Sequence, residues 1–191
     1  MPVVHRYDPP ERFVAGTVGE PGQRTFFLQA KSGSRLTSVA LEKQQVLVLA
    51  ERVDALLDDV MRSNEGATLV PAVTPTGLDD SEPLDQPIEE DFRAGTMTLA
   101  WDADINRVVI EVFKFDDADD LDPGGDADQE AEGEPTAEEL LVVSLTPGAA
   151  RAFSKRAQAV VAAGRPPCQF CGNPLDPAGH LCPRANGFRR R

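Results

Sequence analysis

Along this chain, three short apolar runs are followed by a helical stripe, and the succession occurs twice. Phe13-Val-Ala-Gly-Thr17 recurs as Phe92-Arg-Ala-Gly-Thr96. The run Arg24–Lys31 is echoed by Arg107–Lys114, and Leu36–Leu41 by Leu140–Leu145. Each third run leads into a helix. The first predicted helix covers 43–62 and places Val46, Leu49, Val53, Leu56, Leu57 and Val60 on one stripe. The second covers 147–163 and places Ala150, Phe153, Ala157, Val160 and Val161 likewise, at a constant offset of 104 from the first five. Thr146-Pro147 is a start signal, with Thr as N-cap and Pro at the first helical position. Gly19-Glu-Pro-Gly22 and Asp102-Ala-Asp104 read as matching hairpin turns.

One three-stranded sheet with one amphipathic helix buries its apolar face poorly, whereas two copies bury theirs together. The pattern therefore predicts an α+β fold, a duplicated β-β-β-α unit forming one compact body over residues 1–164. Its halves span about 13–62 and 92–163, related by a pseudo-two-fold axis. The offset between halves grows from 79 at the first strand to 104 at the helix. Most of that difference lies in residues 116–139, an insertion between the fifth and sixth predicted strands that must loop out from the sheet. The connection 63–87 is rich in Pro, Gly, Thr and Asp and should be irregular.

Charge changes this picture in one place. The formal net charge is −13, but twelve acidic residues and no Lys or Arg lie between Phe115 and Ala150, leaving a balance of −1 elsewhere. The acidity belongs to the insertion, which reads as a solvated loop. The last eight residues reverse the sign with Arg184, Arg189, Arg190 and Arg191. No apolar stretch approaches the ~18 residues of a membrane span, and Met1–Pro10 lacks the apolar run of a signal peptide, with His5 placed in a Pro-rich tail.

Chemistry concentrates near the C-terminus. All three cysteines and one of two histidines fall in Cys168-x2-Cys171-x8-His180-x-Cys182. Two residues between cysteines let both thiolates reach one metal, and Gly172 suits the turn that follows. Three thiolates and an imidazole complete a tetrahedron with no position left for water, so the expectation is structural Zn2+ in a small knuckle, with a basic tail, over 165–191. Thiolate ligands persist in a reducing compartment, which points to the cytoplasm.

Outside that site the candidates are few. No phosphate loop, nucleophile elbow or zinc-protease helix occurs. Glu42-Lys43-Gln44-Gln45, where a strand turns into a helix, is a candidate anion- or ligand-binding cluster with Arg24 assisting. The same residues also suffice as a simple helix start, with Glu42 complementing the dipole.

Arg12–Ala30, Val39–Gln45 and the stretch from Gly164 through Cys168 and Cys182 to Gly187 resemble the actinobacterial family known as domain of unknown function 3090. The resemblance covers essentially the whole chain and implies no activity. The sequence thus favours a non-enzymatic, zinc-stabilised cytoplasmic binding or regulatory protein with a protein partner and no membrane contact. An enzyme or binder of a phosphorylated or nucleotide-like small molecule is the alternative. RNA contact through the knuckle and the Arg tail is a further alternative, but four arginines on an acidic chain are weak evidence for it and nucleic acid is not the expected partner.

Overall fold

In the computed structural model, the predicted apolar runs form strands and the stripes after them form helices. Residues 2–63, 69–115, 138–164, 168–171, 182 and 184 are described. The elements are β1 (Val3–Tyr7), β2 (Arg12–Val18), β3 (Thr25–Ser32), β4 (Arg35–Leu41), α1 (Lys43–Arg62), β5 (Phe92–Asp102), β6 (Arg107–Lys114), β7 (Glu139–Leu145) and α2 (Pro147–Ala162). The fold is mixed α+β. Among the described residues, no helix is long and apolar enough to cross a membrane.

All seven strands join one sheet in the order β1-β7-β6-β5-β4-β3-β2. The triplets β2-β3-β4 and β5-β6-β7 stand side by side with the same strand directions. They meet at β4 and β5, which pair in parallel only at Val39↔Phe92 and Ala40↔Arg93. Beyond that short junction β5 turns to β6 through a bulge between Ala94 and Met97. Gly95 sits in the bulge, where a Cβ would lie 2.9 Å from the Phe115 Cα.

Strand β1 is the element that sequence reasoning missed. It is short, precedes a Pro-Pro pair, and exposes Val3 and Val4, so only Tyr7 reports burial. It pairs in parallel with β7 from Val3↔Glu139 to Tyr7↔Val143. Although four places from β4 in the sheet order, it touches that strand. Tyr7 and Thr37 share a hydrogen bond of 2.9 Å, Arg35 donates to the Arg6 carbonyl at 3.1 Å, and the Arg35 guanidinium lies 4.7 Å over the Tyr7 ring. The sheet therefore curls back on itself, and residues alternating along every strand face one interior.

That interior holds Phe13, Ala15, Leu28, Val39, Ile110, Val112 and Leu141 with the apolar stripes of both helices. The buried positions of α1 (Val46, Leu49, Ala50, Val53, Leu57) match buried positions of α2 at the spacing of 104. The helices cross where the Ser154 hydroxyl donates to the Ala50 carbonyl at 2.9 Å. Buried Arg151 from α2 binds Asp54 and Asp58 of α1 at 2.9 and 2.8 Å. Helix α2 lies on β2, the opening strand of the first triplet, with the Phe13 and Phe153 rings 4.6 Å apart. The second triplet's helix thus completes the first triplet's core. Arg156 also donates to the Ala15 carbonyl at 2.9 Å, covering the outer edge of β2 as Arg35 covers that of β1.

The opposite face of β2–β4 is closed by residues 78–91, which form no helix or strand. Leu84 seats on Gly16 within a small cluster containing Val14, Phe27 and Ala40. Buried Gln29 both donates to the Asp85 carbonyl (3.0 Å) and accepts from the Asp85 N–H (2.7 Å), a pairing that mimics a strand ladder. The segment is irregular, as its composition predicts, but it is a strap held by specific bonds.

A candidate metal centre and a clasp of charged residues

Residues after α2 bring Cys168, Cys171 and Cys182 together, with all three Sγ atoms within 4.8 Å of one another. Cys168 and Cys182 are buried and Cys171 is half-buried. The Cys168 and Cys182 sulfurs stand 3.8 Å apart. That is nearly twice a disulfide's ~2.05 Å. It equals the ~3.8 Å edge of a tetrahedron of sulfurs at ~2.3 Å from a zinc-sized ion. The knuckle turn stabilises negative charge at this point. Backbone N–H groups of Cys171 and then Phe170 hold the Cys168 thiol below its ordinary value, the Phe170 N–H lying 3.4 Å from sulfur. Arg184 donates to the Phe170 carbonyl at 3.2 Å, tying the second half of the motif to the first. These thiols could hold a metal ion. His180, the fourth expected ligand, lies outside the described residues, as do positions 116–137 of the insertion expected over 116–139 and Arg189–Arg191.

The candidate anion cluster is placed as a helix start. Glu42 is the N-cap of α1 in a capping box, and its N–H donates to Gln45 Oε1 at 2.8 Å. Gln45 also donates to the Ala94 and Gly95 carbonyls at 3.3 and 3.2 Å, steadying the β5 bulge. Glu42 pairs with Arg93 at 3.2 Å, while Lys43 and Gln44 are exposed. Arg24 is committed elsewhere, donating to the Ala163 carbonyl at the end of α2 at 2.9 Å and stacking over Phe26.

His5, expected in a tail, belongs to β1, where Nδ1 lies 3.3 Å from the Thr37 hydroxyl and the ring stacks against Phe92. A hydroxyl beside an imidazole suggests nucleophilic chemistry. Thr37 is only 2% exposed, however, and its oxygen also bonds Tyr7, so no substrate reaches it.

Sequence reasoning missed a clasp that binds the strap. Arg12 from β2 grips both Asp80 oxygens (2.6 and 2.9 Å), Asp85 (2.6 Å) and the Glu82 and Pro83 carbonyls (3.0 Å each). Arg156 from α2 reaches Asp80 Oδ1 and the Asp80 and Glu82 carbonyls at 2.6–2.7 Å. Lys31 closes on the remaining Asp85 oxygen. The Arg12 hydrogen bond holds Asp80 below the ordinary carboxylate value. Lys31, then Arg12, does the same for Asp85, while Arg12 is itself raised by Asp80. A cavity of about 120 Å³ lined by Phe13, Leu78, Phe153 and the Arg12–Asp80–Arg156 group lies beside the clasp. Every donor of Arg12 named here is already spent on the strap, so the group works as a fastening. The only sequence signal was indirect: acids without bases in 63–87 imply cations elsewhere to receive them.

Fold and site together define a mixed α+β protein, a curled sheet around two crossed helices, followed by a thiol cluster able to hold a metal. The chain belongs to the family described as Protein of unknown function (DUF3090), whose model matches residues 5–182. No curated protein and no solved structure matches it.

Proposed function

We propose that this is a non-enzymatic, zinc-stabilised cytoplasmic binding protein, with Cys168, Cys171, His180 and Cys182 closing one structural Zn2+ site. The observation that carries the metal is the 3.8 Å separation of the Cys168 and Cys182 sulfurs, the spacing of two ligands on one tetrahedral ion. Three thiolates and one imidazole leave no coordination position for substrate, so the ion's contribution is folding energy. The reading as a binder of a protein partner, not of a small substrate, is supported by how the half-buried charges are used. Arg12, Arg156, Asp80 and Asp85 fasten the strap, and Arg151, Asp54 and Asp58 fasten the helices. We also read the two β-β-β-α triplets as copies of one unit, on the shared Phe-x-Ala-Gly-Thr motif and the helix spacing of 104.

Tagged protein isolated from its native cells without chelator should carry one equivalent of zinc by mass spectrometry, and a stoichiometric protein partner. Cys171→Ser should lose the metal while leaving the far-ultraviolet helical signal unchanged. Metal near zero would overturn the zinc assignment. Recovery of a phosphorylated or nucleotide-like small molecule in place of a protein would favour the enzyme alternative.

A further inference from the structure

The metal centre has an outer face, and it is aromatic. Phe170, between the two cysteines of the knuckle turn, is 63% exposed although buried Cys168 is two residues away. Its backbone is fixed on both sides, the N–H turned to Cys168 Sγ at 3.4 Å and the carbonyl accepting from Arg184 at 3.2 Å. The second bond also sets the guanidinium of exposed Arg184 beside the turn that carries the ring. An exposed ring on a turn whose backbone is fixed, with a guanidinium bonded to the same turn, is costly as packing and useful as a platform.

We propose that this face binds single-stranded RNA, an unpaired base stacking on Phe170 and an adjacent phosphate meeting Arg184. Two features select that occupant. The chain from Gly164 to Arg191 carries five arginines against a single acid, Asp176, so its partner is anionic. An acidic peptide would satisfy the arginines but offers no flat face for the ring, whereas every unpaired nucleotide supplies both a phosphate and a π-face. The net charge of −13 does not argue against this. Twelve acidic residues lie in one stretch, and the rest of the chain carries a balance of only −1. Single-stranded nucleic acid in the cytoplasm is RNA, so the assignment rests on the compartment and the metal of the proposed function.

The test is fluorescence anisotropy of a labelled single-stranded RNA of about twelve nucleotides, titrated with zinc-loaded full-length protein in about 50 mM salt. Phe170→Ala should weaken binding about 5-fold or more, the loss of one stacked base, with zinc content unchanged. Phe170→Trp should retain it. Arg184→Gln should reduce the dependence of log affinity on log salt by about one contact. Binding that survives Phe170→Ala at full strength overturns the proposal, as does tighter binding to duplex RNA, the matching DNA or an acidic peptide. Zinc-replete protein with no RNA binding overturns it and leaves the metal assignment intact. Equal RNA binding by chelated protein would show that the metal-ordered turn is not the platform.

Discussion

At the scale of single residues, one motif is used in two ways. Phe-x-Ala-Gly-Thr occurs at 13–17 and 92–96, and each glycine lies under a close neighbour, but the neighbours differ in kind. Over Gly16 it is the Leu84 side chain, whose Cδ2 would stand 2.5 Å from an added Cβ. Over Gly95 it is the Phe115 backbone, at 2.9 Å. A side chain can shift and a backbone resists, so the two positions respond differently. Gly16→Ala should cost about 1–3 kcal/mol by overpacking, and Leu84→Ala about 2–4 kcal/mol by lost burial. Because both act on one contact, the double variant should cost clearly less than their sum in urea unfolding. Strict additivity would show that the strap does not press on Gly16. The motif was legible in sequence as a repeat; its reason was not, since Leu84 is 68 positions from Gly16.

Elements follow the same logic. Strands and helices with buried stripes were readable because burial imposes a period on sequence: β4 and α1 buried Val39, Leu41, Val46 and Val53 at the expected spacings. The strap carries no period, and neither does β1, whose placement depends on Tyr7, Arg35 and Thr37 meeting across the curled sheet. The thiol cluster was readable because its cysteines are close in sequence, whereas the clasp unites Arg12, Asp80 and Arg156 from three distant segments. The clasp also sets an acid response. Asp80 and Asp85 titrate lower in the folded protein than in the unfolded chain, because Arg12 and Lys31 bind their ionised forms. Their stabilising effect is therefore complete above the ordinary carboxylate value of about 4 and is lost as pH falls through the lower folded values. Asp80→Asn should destabilise the neutral protein by about 1–3 kcal/mol, since it weakens bonds of two guanidinium groups. It should also flatten the decline of the urea midpoint below about pH 4. An unchanged acid limb in that variant would mean that other carboxylates govern the response.

For the whole molecule, the test is whether the sheet needs the acidic insertion. Strands β6 and β7 are antiparallel neighbours paired as far as Phe113↔Leu140, and Lys114 meets Glu139 at 3.1 Å just beyond. Phe115 is fixed on the near side by its N–H to the Arg93 carbonyl at 2.8 Å, and Glu138 on the far side by its carbonyl to the Val3 N–H at 2.8 Å. The ends of the insertion are thus already adjacent and anchored by residues outside it, and hairpins of this kind close with two to five residues. Replacing 117–135 by a short Gly-Ser link removes nine carboxylates and leaves every one of those anchors in place. Shortening the loop should stabilise by about 1 kcal/mol at most, at ~0.6 kcal/mol per halving of length, with a further small gain from reduced like-charge repulsion. The melting temperature should accordingly hold or rise by a few degrees, read by calorimetry beside the full chain. A fall of many degrees would mean that the insertion packs on the body, for instance over Val142 and Ser144, which are buried on the face of β7 turned away from the helices. Retained stability with loss of the proposed protein partner would instead identify the insertion as the surface that such a partner reads.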